Sequence, residues 1–455
     1  MNTAAAEGRS RPSRGWTIGA LVIWAVVVSV ARWWGERLNA ELGPEALRLG
    51  APPLVGRDDP QVTAGLLVPV AVGAILVWFL PILTRRLAWR RVLVLIALVG
   101  VAWPVAVNVS RGLDGLTDPV SRTDEYLVDV PLIGSPRVFL DQYVERIDDY
   151  SPHVRSHPPG FVLLLWGMDQ LGLSGPGWVA ALCIAGGAGA AAVVLWIVRR
   201  FVDEPTARAA APFLVLAPSA LWVASTADAW FALLGAGSMA LVICAAHNVG
   251  RRRIALAVAG GIVFSVAAMS SYGLWLIWLI AAPTLLKRRA IDVGAIAGIV
   301  TVAILASLTG FGFNYLHAFR ATQIEVAESV QSTRPTAFAL FSNLAAFGLA
   351  CGPAAAVALA RLRDRRLWLL VSGAVGAVVV ANLSLLSKGE VERIWFPFGI
   401  WILAAGACLG FAGASAAGAG TDPVRTGVSL TEARLWLGLQ VATAIVIQTL
   451  VRTGW

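Results

Sequence analysis

Two of the chain's four histidines stand four residues apart in SPHVRSHPPGFVLLLWG, residues 151–167, just ahead of a double proline and an apolar run. On a helix, His153 and His157 would share one face, the spacing of a two-histidine metal site. Pro158 and Pro159 oppose helix there, and no HExxH-like partner set surrounds the pair. A histidine hydrogen-bonded to a carboxylate or a polar ligand, or packed on Tyr143 or Tyr150, suits the segment better. Upstream, Asp124 and Glu125 are adjacent acids in SRTDEYLVDV. Neighbouring side chains diverge, so one can serve as a base while the other binds a metal or a hydroxyl; equally, they are two ordinary loop acids. Asp228 opens an apolar run in TADAWFALLGAG. An ionisable group there is solvated, paired, functional, or a cap for the helix it begins. Lys388 and Arg393, in KGEVERIWFPF, are cations suited to a phosphate, and interfacial anchoring by Arg and Trp is the plainer account of them.

The elements that must position these residues follow from composition. The 455-residue chain is 58% hydrophobic and 14% charged, with a mean hydropathy of +0.73. A soluble chain carries roughly a quarter charged residues. Apolar runs near 20 residues recur, enough to cross a hydrocarbon layer of about 30 Å as helices. The pattern predicts an all-α polytopic membrane protein with about 13 transmembrane helices, over 16–34, 64–83, 92–110, 176–198, 207–224, 228–247, 254–270, 272–286, 291–311, 337–359, 367–386, 394–412 and 434–451. With the N-terminus cytoplasmic, inside segments hold 22 of the 36 Lys/Arg but only 7 of the 27 Asp/Glu. That is the positive-inside distribution, so the net charge of +9 sets topology and does not point to nucleic acid. All four cysteines lie in apolar spans, which argues against disulfides and CxxC metal sites. The first span lacks a small-residue cleavage site and is expected to stay as a helix. Arginine outnumbers lysine 34 to 2, a bias of GC-rich bacterial genomes, and the implied location is a plasma (inner) membrane.

Two predicted outside loops are long. Residues 35–63 are acidic and rich in Pro and Gly, and residues 111–175 hold 10 of the 20 outside acids. Within the second, 160–173 is too short to cross and carries Asp169, so it is expected as an interfacial helix, with His157-Pro158-Pro159 as the corner leading into it. Residues 312–336 suit a short helix ended by Pro335, and 413–427 a flexible linker. Under this topology Asp124, Glu125, His157, Asp228, Lys388 and Arg393 all fall at the outer interface. Carboxylates beside cations at head-group depth suit a lipid-linked phosphorylated substrate.

Taken in order, these motifs resemble the GT-C superfamily of membrane glycosyltransferases, in its protein O-mannosyltransferase and aminoarabinose transferase branch. The likeness rests on the acidic pair Asp124-Glu125 in the first large outside loop, the HPPGFVLLLWG turn, the Asp of TADAWFALL and the Arg-aromatic-Pro turn ERIWFPF, and covers roughly residues 92–412. It implies a catalytic core over 92–412, with 111–175 as the main extracytoplasmic loop, preceded by an extra two-helix segment (1–91) and followed by a linker and last helix (413–455). It also implies an inverting transfer from a polyprenyl-phosphate sugar to a glycan, lipid or protein acceptor outside the membrane. Asp124 would be the base, with Glu125, His153, His157 and Asp228 shaping the sugar and acceptor site and Lys388 and Arg393 holding the donor phosphate. The acidic pair lies farther beyond span 92–110 than is usual in the family, which leaves Asp114 and Asp118 as rival bases. No large soluble C-terminal domain is expected to follow. A divalent metal held through Asp/Glu oxygens is compatible with this chemistry. A transporter or flippase of lipid-linked saccharides would instead place polar residues through the midplane, where Asn108, Asn382 and His247 are only edge residues. A non-catalytic membrane scaffold is the third reading.

Overall fold

The computed structural model describes residues 14–43, 47–411 and 428–454. The linker expected over 413–427 and the basic residues before Arg14 lie outside the described residues. Helices follow one another in the order α1 (Arg14–Leu42), α2 (Leu67–Arg86), α3 (Trp89–Asn108), α4 (Gly160–Gln170), α5 (Pro176–Phe201), α6 (Glu204–Val215), α7 (Asp228–Ala246) and α8 (Gly250–Ala268). The second half continues with α9 (Trp278–Arg288), α10 (Ile291–Ser307), α11 (Tyr315–Glu328), α12 (Thr336–Cys351), α13 (Pro353–Arg361), α14 (Arg365–Ser384), α15 (Phe396–Ile402) and α16 (Leu430–Leu450).

Among the described residues eight helices are long and apolar enough to cross a membrane: α1, α2, α3, α5, α7, α10, α14 and α16. Counting the bent pair α12–α13 as one span gives nine. The other expected spans take shorter or interrupted forms. Residues 207–224 divide between α6 and a single turn, Ala220–Val223, around Pro218. Residues 272–286 begin as a 3-10 stretch, Tyr272–Ile277, before the short α9, and 394–412 becomes α15 followed by a 3-10 stretch to Leu409. Helix α8 has the length but carries three arginines in its first turn. Hydropathy registers how apolar a segment is, whereas prolines such as Pro212, Pro283 and Pro397 restrict where helical hydrogen bonding can continue.

Helices α12 and α13 meet at an angle of 93°. Gly352 turns the corner with φ +79, and a Cβ there would fall 2.0 Å from Gln440 Oε1. Gln440, fully buried on α16, donates from Nε2 to the Cys351 carbonyl (2.8 Å) and accepts at Oε1 from the Ala354 N–H (3.2 Å). One side chain thus serves a backbone group on each side of the break, far from water. Elsewhere the interior is close-packed through small residues, with Gly186, Gly187, Ala190 and Ala191 of α5 all buried and α5 in contact with α7.

The two ends of the bundle separate by sequence segment. At one end Arg208 donates to the Thr84 and Leu87 carbonyls, Arg85 to Phe411 and Arg366 to Val202, while Arg361 pairs with Glu432 and Arg253 with Asp292. At the other, strand β1 (Gly56–Asp58) pairs antiparallel with β2 (Val451–Thr453), and Arg111 donates to the Gln448, Thr449 and Val451 carbonyls at the end of α16. The loop between α3 and α4 folds over this second end.

Candidate functional site

The loop from Val109 to Pro159 is a chain of 3-10 turns and two short helical segments, Pro136–Gln142 and Pro152–Arg155. Aromatic packing gives it a core, with Tyr143 stacked on Tyr150 at 5.7 Å and Phe139 and Phe313 at its edges. The Tyr143 hydroxyl reaches the carbonyls of both Val154 and His157 at 2.6 Å, and buried Asp129 accepts from the Ser151 N–H at 2.8 Å. The histidine segment is therefore held on both flanks. At its downstream end the Gly160 N–H donates to the Met269 carbonyl at 2.7 Å, and a Cβ on Gly160 would lie 2.3 Å from that oxygen. Glycine is required where the HPPG corner docks on the turn after α8. Helix α4 then spans 11 residues and buries Phe161, Val162 and Leu165 against the loop.

Arg393 is the hub. It is 4% exposed, on the short Val391–Ile394 turn. Its Nη1 donates to Asp228 Oδ2 at 2.9 Å, and its Nη2 to Glu390 Oε2 at 2.5 Å and to His153 Nε2 at 2.8 Å. A guanidinium only donates, so His153 Nε2 must accept, and the ring proton sits on Nδ1. That Nδ1–H donates to the Asp124 carbonyl at 2.6 Å. The tautomer is fixed from both sides, and a second ring proton would face the guanidinium. Burial, and after it the Arg393 charge, accordingly pull the His153 pKa down to about 4. His157 is bound one step back: its Nδ1–H donates to the His153 carbonyl at 3.0 Å, and burial likewise lowers its pKa. Both rings lie against Tyr126, at 5.7 and 5.8 Å, rather than against Tyr143 or Tyr150.

The two adjacent acids part company. Glu125, 6% exposed, points inward, with Oε1 3.6 Å from His153 Nδ1. Burial pushes its carboxyl up to about 8; Arg393 opposes the shift, and the charges of Asp124, Asp228 and Glu390 add to it. Asp124 points outward and is held by Arg122 in a two-point contact, 2.9 and 3.2 Å. Partial burial works against its charge, but Arg122 keeps its carboxyl below the ordinary value. One neighbour therefore holds its proton near neutrality while the other is ionised.

Asp228 opens α7 and spends its carboxylate on Arg393, a buried pair at 3% and 4% exposure. Glu390, which the sequence reading did not single out, sits at φ +62 in the left-handed region. Burial would raise its carboxyl, yet Arg393, His153 and Arg334 together hold it below the ordinary value. Glu392 is 1% exposed, accepts from the Val55 N–H at 3.4 Å, and is pushed up to about 7 by burial. Lys388 faces away from the hub: its Nζ donates to the Arg334 carbonyl at 3.3 Å, and its own carbonyl accepts from Arg334 at 2.5 Å. Asp114 and Asp118 are exposed in the turns after α3, and among the described residues no ion pair links them to Arg393.

The structure thus brings together Glu125, His153, His157, Asp228 and Arg393, sets Asp124 at the rim, and leaves Lys388, Asp114 and Asp118 outside. Arg122, Tyr126 and Glu390 join the set. Among the described residues no three His, Cys, Asp or Glu side chains are grouped to hold a metal ion. The cluster offers an ionised carboxylate beside a partly exposed arginine, backed by a buried network of alternating charge. Compared with known proteins, the chain matches no family model, and no curated protein matches it.

Proposed function

We propose that the chain is an inverting membrane glycosyltransferase that moves a sugar from a polyprenyl-phosphate donor to a cell-envelope acceptor on the extracytoplasmic face. The observation that carries this reading is the divergence of Asp124, turned outward onto Arg122, from Glu125, buried beside the His153–Arg393–Asp228 network. Environments that drive neighbouring carboxyls apart leave one of them ionised and available as a base. The charge distribution supports placing this end outside, since the other end holds the basic clusters. In a GT-C-like arrangement of 13 crossings, α6 with its following turn, α8, the 272–288 segment, the α12–α13 pair and α15 with its 3-10 extension act as short or broken crossings beside the eight long ones.

A phosphate departs as a stable anion, so the leaving group needs no general acid. The sugar carbon gains positive charge as the bond breaks. Asp124 is ionised and reachable, and it both takes the acceptor's hydroxyl proton and offsets that charge. Its bond to Arg122 links the two events. A donor phosphate arriving beside Arg122 competes for the guanidinium, and Asp124 becomes a stronger base as it loses that partner. Arg393 is held through its two Nη atoms by Asp228, Glu390 and His153, so its part is to hold the loop and the start of α7 in register beneath the reacting groups.

The test is transfer by the purified full-length protein from a panel of polyprenyl-phosphate hexoses and pentoses. Asp124→Asn is expected to lower transfer by about 100-fold or more without changing the thermal unfolding midpoint. Near wild-type transfer by that variant removes the base assignment. A second reading, a non-catalytic scaffold, draws on the three partners that bury the Arg393 Nη atoms, which suit a structural staple; absence of transfer by the wild type with every donor favours it.

A further inference from the structure

A second charged site lies at the far end of α7 from Asp228. There a cavity of about 270 Å³ opens between the final residues of α5, α7 and α9 and the first turn of α14. Its polar lining is His247, Thr284, Lys287, Arg288 and Arg366, and Phe201, Leu369 and Leu370 form an apolar wall. No acid lines it, and among the described residues no carboxylate pairs with Lys287, Arg288 or Arg366. The two nearest acids in sequence are committed elsewhere: Asp203 caps α6 by accepting from the Thr206 N–H at 2.6 Å, and Asp364 caps α14 by accepting from the Arg366 and Leu367 N–H groups at 2.7 and 2.9 Å.

Helix dipoles explain part of this concentration of charge. Lys287 and Arg288 occupy the last turn of α9, where a cation is favourable. Arg366 occupies the first turn of α14, where the dipole opposes a cation. Its Nη1 donates to the Val202 carbonyl at 3.2 Å, which turns the guanidinium toward the end of α5 and the cavity. His247 is fixed as well, with its ring 4.2 Å from Phe201 and its Nδ1–H donating to the Ile243 carbonyl at 2.9 Å. A carbonyl accepts only, so Nε2 is the ring atom left to meet a ligand. Leu286, next to Lys287, is 67% exposed. A cationic cavity with an apolar wall and an apolar rim matches a phosphate that carries a hydrocarbon chain.

We propose that this cavity binds a phosphoryl anion, the phosphodiester head group of an anionic phospholipid being the occupant its apolar wall and rim favour. Basic pockets between membrane helices take such head groups, and planar guanidinium groups match phosphate oxygens well. The site is separate from the Arg393 network and stands whether or not that network transfers sugar.

Native mass spectrometry of the full-length protein, exchanged into mixed phosphatidylglycerol and phosphatidylethanolamine, tests this directly. The wild type is expected to retain phosphatidylglycerol preferentially. Removal of charge should reduce the preference roughly fivefold per cation, through Lys287→Gln and then Lys287→Gln/Arg288→Gln/Arg366→Gln. Lys287→Gln changes an exposed side chain and keeps the test decisive if the triple variant fails to fold. Inorganic phosphate alone is the second probe. Thermal protection of the wild type by phosphate, absent in the variant, supports the phosphoryl site and assigns it a soluble ligand. Equal lipid retention by wild type and variants, with no phosphate effect, overturns the proposal.

Discussion

Glu125 lies among a histidine, an arginine and three other carboxylates, and its proton is where their charges balance. An unfolded chain loses that proton near the ordinary value of 4.5, whereas the folded protein keeps it to about 8. Folding stability therefore falls as pH rises through this window and is level above it. Glu392, raised to about 7, acts in the same direction up to that point. His153, lowered from 6.5 to about 4, acts in the opposite direction, adding stability as pH rises between those values. Between pH 7 and 8 Glu125 contributes most of these three, with the upper tail of the Glu392 titration beside it. The wild type is expected to lose stability there at about 1 kcal/mol per pH unit, and Glu125→Gln to remove most of that slope, as read from thermal unfolding at stepped pH. Asp124, Glu125, Asp228 and Arg393 were visible in the sequence because each interrupts an apolar or loop context. Which way each points was not: Asp124 and Glu125 are equivalent on paper and diverge only once Arg122 and Arg393 are in place. Glu390 escaped notice because its position depends on a left-handed backbone that a glutamate rarely adopts.

At the scale of the element, the α12–α13 break is held by a residue from another helix. Replacing Gln440 with leucine keeps bulk but strands the Cys351 carbonyl and the Ala354 N–H in a buried setting. Each orphaned group costs about 1–3 kcal/mol, so Gln440→Leu is expected to lower stability by roughly 2–4 kcal/mol, measured as a fall in the thermal midpoint. An unchanged midpoint would show that water or neighbouring groups replace the amide. Both halves of this contact were present in the sequence, as CGPAAAV and as a lone glutamine in LGLQVATAIV, but nothing local links residues 89 positions apart. The same limit explains the segments that form shorter or interrupted helices. Apolar composition was plain at 207–224, 272–286 and 394–412, whereas the division of those segments into turns, 3-10 stretches and short helices depends on prolines and packing.

The sorting of segments between the two ends of the molecule is its most legible property, because it follows from the charge of short loops. The devices that fasten each end are less so. Arg111 gathers the final carbonyls of α16 and the Asp59 carboxylate, and the β1–β2 ribbon lies beside it. Arg111→Ala is expected to release this corner, with amide exchange at 56–59 and 448–453 accelerated about tenfold while the α5–α7 interior is unaffected. The Arg393 contacts carry a different consequence, one of timing. They join the residue to Asp228 and His153 across separations of 165 and 240 positions. A ribosome has therefore made the histidine loop and the beginning of α7 long before their shared counter-ion exists. Until then the early half of the chain holds an aspartate with no partner to neutralise it. Completion of the nascent polypeptide, and not its first half alone, is the step that locks this end of the bundle shut.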